Sequence, residues 1–203
     1  GAVSAPDLDE LNAWADRGML AAYWAAENPS AAAVVSDAGN RTRAELNANA
    51  NRLVRALRDR GVRAGDGIAL LCANRPEFLE TVTAARRAGL TLTTVNWHLT
   101  GDEAGYIVDD CEATALVADA RFAAVADRAA DLAPRLRATF AVGGPIDGFE
   151  DYADVLGPED GADIDDPQCG STMLYTSGTT GRPKGVRRPP DPRSEIGISL
   201  LTA

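Results

Sequence analysis

Apolar positions fall at helical spacing, then at strand spacing, in repeated alternation along the chain. Residues 8 to 27 place Leu8, Leu11 and Trp14, then Leu20, Tyr23 and Trp24, on helical periods, and Asn28-Pro29 ends the pattern. Ala32 to Ser36 reads as a strand, with Asp37-Ala38-Gly39-Asn40 as its turn. A capping box, Thr42-x-x-Glu45, opens the next helix, which stripes Leu46, Ala50, Leu53, Val54 and Leu57 along one face and stops at Gly61. Ile68 to Cys72 is an apolar run of buried-strand length.

Pro76 suits the first turn of a helix that directs Phe78, Leu79, Val82 and Ala85 toward the core and closes at Gly89. Leu90 to Val95 alternates and carries β-branched residues, hence a strand. A second capping box, Thr100-x-x-Glu103, heads a helix with Tyr106, Ile107 and Cys111 at packing positions. Ala115 to Ala118 reads as strand, Arg121 to Leu132 as helix and Thr139 to Val142 as strand. After the Gly143-Gly144-Pro145 turn comes a short helix, Tyr152 to Leu156, then a linker over 157 to 167 and a strand, Ser171 to Thr176. Strands and helices taking turns predict an α/β fold with an open, mainly parallel sheet and helices on both faces. The expected division is one α/β subdomain over residues 1 to 166, followed over 167 to 203 by a strand, a phosphate-binding loop and the truncated start of a further segment.

Composition changes this picture little. The 203 residues can bury one substantial core, and 45% hydrophobic content is that of a globular chain. No apolar run approaches the roughly 20 residues needed to cross a bilayer, and no basic-then-apolar signal opens the chain. The three cysteines, Cys72, Cys111 and Cys169, are far apart and lack C-x-x-C spacing, which suggests reduced cytoplasmic thiols and neither a disulfide framework nor a metal site. A net charge of -10 argues against nucleic acid as a partner. Its distribution says more: carboxylates crowd Asp147 to Asp166 with no basic residue among them, whereas Arg182, Lys184, Arg187, Arg188 and Arg193 cluster further on. The acidic stretch reads as a solvated connector, because Asp160 to Asp166 lacks the regular spacing of a calcium loop.

Those cations flank the most distinctive segment, Tyr175-Thr176-Ser177-Gly178-Thr179-Thr180-Gly181-Arg182-Pro183-Lys184-Gly185. Ser177, Thr179, Thr180 and Lys184 offer side-chain donors, while Gly178, Gly181 and Gly185 let backbone N–H groups approach an anion. It is not a Walker A loop, because the lysine comes two residues too late after the second glycine. Its predicted place, after a strand of a parallel sheet, is where ligands bind in such folds. His98, the one histidine, stands in a turn before a capping box and reads as structural, and Trp97 beside it as a packing residue.

Residue for residue, Thr176 to Gly185 resembles the signature T-S-G-[ST]-[TS]-G-x-P-K-G of the adenylate-forming superfamily, which includes acyl-CoA synthetases, luciferases and peptide-synthetase adenylation domains. The resemblance continues upstream in family order. It runs through residues 41 to 60, introduced by Thr42-x-x-Glu45-Leu46, then Gly65-Asp66-Gly67-Ile68-Ala69-Leu70-Leu71, Asn74-Arg75-Pro76-Glu77-Phe78, and Val95-Asn96-Trp97-His98-Leu99-Thr100 with Glu103 and Tyr106-Ile107. The last of these is similar to a passage of fatty-acyl-CoA synthetases. Arg187-Arg188-Pro189-Pro190 departs from the family's usual histidine and small residues after the loop.

The resemblance implies the N-terminal subdomain of an acyl-CoA synthetase-like fold and an enzyme that uses ATP, Mg2+ and coenzyme A. Such an enzyme activates a carboxylic acid, here expected to be a fatty acid, to an acyl-adenylate and passes the acyl group to coenzyme A. By position, Thr176, Ser177, Gly178, Thr179, Thr180, Gly181 and Lys184 would cradle the β- and γ-phosphates, with Lys184 offsetting charge as pyrophosphate departs. Pro183 would restrict the lysine's approach. The family's adenine pocket, magnesium ligand and adenylation lysine lie in later segments, so the expectation is a fragment of a longer synthetase, inactive by itself. The alternatives are a peptide-synthetase type adenylation domain and a non-enzymatic nucleotide-binding module.

Overall fold

The computed structural model describes residues 7–176 and 181–192. Two helices open it, α1 (Leu8–Asp16) and α2 (Leu20–Glu27), where the periodicity predicted one. The break falls at Gly18, whose φ is +69°, and a Cβ there would overlap the Arg86 carbonyl. The chain therefore turns where it meets another backbone, which only glycine permits. Strand β1 (Ala32–Ser36) pairs antiparallel with β2 (Gly39–Thr42), so half of the expected turn is itself strand.

The main sheet holds seven strands: β3 (Gly67–Leu71), β4 (Thr91–Thr94), β5 (Ala113–Asp119), β6 (Ala138–Val142), β7 (Glu150–Asp151), β8 (Ser171–Thr176) and β9 (Lys184–Arg188). Their order is β7-β6-β5-β3-β4-β8-β9, with every neighbouring pair parallel except β8 and β9. Every residue of β3 and of β5 is buried, as expected of central strands covered on both faces.

Helices α3 (Arg43–Asp59), α4 (Pro76–Arg87) and α7 (Tyr152–Leu156) cover one face. There Ile68, Leu70, Ala115, Val117 and Phe140 meet Leu53, Val54, Leu57, Ala84, Ala85 and Leu156. Helices α5 (Gly101–Asp110) and α6 (Ala123–Leu132) cover the other, where the alternate strand residues Ala69, Leu71, Leu116 and Ala118 meet Ile107, Val108, Ala126 and Ala129. The two-residue period of each strand thus divides its side chains between two cores.

Both capping boxes are formed. Glu45 and Glu103 each accept from the N–H of the capping threonine, at 2.8 Å, and each threonine hydroxyl accepts from the glutamate N–H. Those backbone bonds hold both carboxyls below the usual glutamate range.

In α4 Phe78, Val82 and Ala85 face the core as expected, but the buried face is wider than that stripe. Glu80, Thr81 and Arg87 are buried, while Leu79 is exposed. Glu80 can be buried because Arg41 Nε, Asn49 Nδ2 and the Tyr152 hydroxyl all donate to it, at 2.7, 2.8 and 2.9 Å. Burial, then the neighbouring Glu80, pushes the Tyr152 hydroxyl well above its ordinary pKa.

Segment 157–167 carries no regular structure, yet it is stitched to α3. Asn51 donates to the Gly161 carbonyl and the Asp163 carboxylate, Arg52 to the Glu159 carbonyl, and Arg55 to the carbonyls of Asp160 and Ala162. The expected solvated connector is in fact docked.

Candidate functional site

Because β8 runs parallel to β4, its carboxyl end opens on the same edge of the sheet as those of β3, β4, β5 and β6. The segment singled out in the sequence leaves from that edge and returns as β9. Thr176 ends β8, Lys184 begins β9, and the two are direct cross-strand partners, so they form the neck of the loop. Both are exposed. Gly181 has φ +136°, a conformation that disfavours a side chain, and among the described residues nothing lies within 4 Å of where a Cβ would stand. Ser177, Gly178, Thr179 and Thr180 lie outside the described residues.

The register divides the hairpin into two faces. Directly opposed residues share a face, so Leu174, Val186, Thr176 and Lys184 stand together on the open side, with Leu174 38% and Val186 52% exposed. Met173, Tyr175 and Gly185 turn toward α5, and Met173 and Tyr175 pack on its core. A Cβ on Gly185 would overlap Met173 and the Tyr175 ring, so the glycine is required here for close approach. The Tyr175 hydroxyl donates to Asp110 Oδ2. Burial and then that hydrogen bond raise its pKa far above the ordinary phenol value. From one turn earlier on α5, Tyr106 donates to the Pro183 carbonyl at 3.2 Å, and the Arg182 guanidinium lies 5.0 Å from its ring centre.

Other groups gather on the same edge. Asn96-Trp97-His98 follow β4, and Trp97 stacks on Phe122, which follows β5, at 5.2 Å and 13°. The His98 ring centre lies 3.6 Å from that of Trp97. At the end of β5, Asp119 is fully buried and accepts from Arg121 Nη2 at 2.9 Å, with Arg75 Nη1 at 3.5 Å. Burial works to raise the Asp119 pKa, but the Arg121 hydrogen bonds and the charges of Arg121 and Arg75 outweigh it and hold it low. Burial, with Asp119 adding to it, pushes the neighbouring Cys72 thiol up to about 12, and burial likewise raises that of Cys111. Neither is poised as a nucleophile. Among the described residues no group of three or more His, Cys, Asp or Glu could hold a metal ion.

Sequence reasoning found the loop and its neck but not what fixes it. Tyr106 was legible as a packing position and as part of the upstream resemblance, and Tyr175 as the start of the loop segment, but nothing in the sequence shows what either touches, and Asp110 carries no motif. The one available signal is the spacing of Tyr106 and Asp110, four apart on a helix and so on one face.

A mainly parallel α/β sheet with a glycine- and hydroxyl-rich segment leaving its carboxyl edge places the chain among open α/β proteins that bind ligands at that edge. The chain belongs to the AMP-binding enzyme family, whose model matches residues 21–188. It is 33% identical over 181 residues to the indoleacetate–CoA ligase of Aromatoleum aromaticum, a match covering 87% of this chain and 34% of that protein. It is 32% identical over 169 residues to a medium/long-chain-fatty-acid–CoA/3-oxocholest-4-en-26-oate–CoA ligase of Mycobacterium tuberculosis, covering 78% of this chain and 30% of that one. The chain thus spans about a third of the length of these relatives. Its fold matches the crystal structure of the anthranilate CoA ligase AuaEII in complex with anthranoyl-AMP, with a TM-score of 0.77 at 24% identity over 85% of this chain and 34% of that one.

Proposed function

We propose that this chain is the N-terminal part of an ATP-dependent acyl-CoA synthetase acting on a fatty acid in the cytoplasm. The reading is carried by the neck of the hairpin, where Thr176 and Lys184 face each other at the carboxyl edge of a parallel sheet. In the reaction, an oxygen of the carboxylate attacks the α-phosphorus of ATP, the bond to the β-phosphate bridging oxygen breaks, and pyrophosphate leaves. The thiol of coenzyme A then attacks the acyl carbon, loses its proton and expels AMP.

Thr176, Ser177, Gly178, Thr179, Thr180 and Gly181 would donate to the β- and γ-phosphates, and Lys184 would offset the charge that builds on departing pyrophosphate. Mg2+ would come with ATP and add positive charge beside its phosphates. Residues 167–203 are read as the passage from an α/β subdomain, residues 1–166, into the segments that complete the site. Support for a fatty acid comes from the Val95-to-Ile107 passage and from the mycobacterial relative.

The test is ATP–pyrophosphate exchange and acyl-CoA formation by two proteins, the 203-residue chain and the natural reading frame that contains it. Medium- and long-chain fatty acids and indoleacetate serve as substrates. The expected result is turnover of fatty acids by the longer protein and none by the 203-residue chain. Turnover by the chain alone overturns the fragment reading, and preference for indoleacetate overturns the fatty acid. Exchange without thioester formation on coenzyme A points instead to a carrier-domain acceptor.

A further inference from the structure

The sheet holds β8 over only part of its length. Its register with β4 runs from Thr91↔Ser171 to Leu92↔Thr172 and stops although β4 continues to Thr94, so Met173 to Thr176 have no parallel partner in the register. Beyond that point only the antiparallel pairing with β9 continues, and β9 is an edge strand. A two-stranded ribbon on its own is marginally stable in water. What stands beneath it is α5, which makes one hydrogen bond to each limb. Asp110 accepts from Tyr175 on the outgoing limb, and Tyr106 donates to the Pro183 carbonyl on the returning one.

The helix that does this is itself firmly seated. Its N-terminus carries the Thr100–Glu103 capping box, and Gly101 and Gly105 let it press on α6, since a Cβ on either would overlap Arg128 or Leu132. Each anchor sits next to a residue of the neck. Tyr175 precedes Thr176, Pro183 precedes Lys184, and Tyr175 pairs with Gly185.

We propose that Tyr106 and Asp110 are positioning residues that fix the phosphate loop by holding its two limbs at a set separation and orientation. The clamp keeps Met173, Tyr175 and Gly185 turned to α5 and so presents Thr176 and Lys184 on the open face. A neck whose two limbs are already placed pays less ordering entropy when phosphate binds, which appears as affinity for ATP. The proposal rests on the reading of the hairpin as an ATP-phosphate site, and its test separates the two.

Tyr106→Phe removes the hydroxyl and keeps the ring under Arg182. Asp110→Ala removes the acceptor for Tyr175, and Asp110→Asn restores a carbonyl acceptor. Hydrogen exchange of the amides between Tyr175 and Val186 is followed in the 203-residue chain, and steady-state kinetics in the longer natural protein. Tyr106→Phe and Asp110→Ala are expected to speed exchange in that segment. They should also raise KM for ATP about fivefold, the scale of one net hydrogen bond, with KM for the acid and Tm unchanged, while Asp110→Asn stays close to wild type. Unchanged exchange overturns the clamp, as does faster exchange with an unaltered KM for ATP. A uniform loss of Tm and of both KM values also overturns it in favour of a general stabilising role. A wild-type protein with no ATP-dependent turnover overturns the functional reading instead, and the exchange rates alone then decide the clamp.

Discussion

Asp119 shows how one buried charge can be tolerated and what it costs to disturb. Its carboxylate is fully buried between Arg75 and Arg121, and Arg75 is in turn held by Glu77 at 2.9 Å. Removing it leaves Arg75, itself only 13% exposed, facing one carboxylate fewer. Asp119→Ala is therefore expected to cost about 2–4 kcal/mol, read from urea unfolding. Because the folded pKa lies below the unfolded value, its contribution is present above about pH 4 and is lost as pH falls through the folded value. The stability difference between wild type and this variant should then shrink in acid below about pH 4. A difference that stays constant from pH 6 to pH 3 contradicts the ion-pair account. Lys184 makes the opposite case, being exposed, with its role resting on the proposed function alone. Lys184→Met should leave Tm unchanged and lower ATP–pyrophosphate exchange by the longer protein roughly 100-fold, as loss of one charge-stabilising donor does.

At the scale of elements, the hairpin of β8 and β9 depends on Gly185. Gly185→Ala puts a methyl where the Tyr175 ring and Met173 lie. Methionine can bend away, but the ring is held by Asp110, so relief means breaking that hydrogen bond. The expected effect is faster hydrogen exchange between Tyr175 and Val186, and it should not add to that of Asp110→Ala, since both variants break the same contact. Full additivity in a double-mutant cycle contradicts this reading.

The same hairpin shows what a sequence can convey. Strand β8 and both capping boxes were legible because each is a local pattern: an apolar run, or a threonine three residues ahead of a glutamate. The return strand Lys184–Arg188 was not, because three of its five residues are basic and only Val186 has strand character. Gly18 was missed for a related reason. A lone glycine within a helical period is tolerable by itself, and what forbids the helix is the Arg86 carbonyl, distant in sequence. The loop of the candidate site was legible at once, whereas the contacts of Tyr106 and Asp110 with it depend on how α5 lies under the sheet.

For the whole molecule, the central problem is carrying the chain from β7 at one edge of the sheet to β8 near the other. The acidic segment does this by running over α3 and then along the end of α4. Gln168 N–H donates to the Arg87 carbonyl at 2.9 Å, Gly170 N–H to the Arg86 carbonyl at 2.7 Å, and Ser171 N–H to the Leu90 carbonyl at 2.9 Å, which starts β8 in register. Its attachment to α3 mixes buried and exposed links. Asn51 is fully buried, donates to Gly161 and Asp163, and accepts from the buried Arg87, so it ties the crossover to both helices. Arg55 makes as many links but from the surface. A buried polar residue that satisfies several partners costs more to remove than an exposed one, because its partners lose their acceptors and donors where water does not replace them. Asn51→Ala should therefore destabilise by about 2–3 kcal/mol and Arg55→Ala by less than about 1 kcal/mol. Both should expose 157–167 to a glutamate-specific protease cutting after Glu159, but only Asn51→Ala should also speed hydrogen exchange in β8, because only Asn51 reaches α4. Equal effects of the two variants on unfolding and on β8 exchange mean that the crossover is held by its surface links, and that the delivery of β8 beside β4 does not depend on the buried amide.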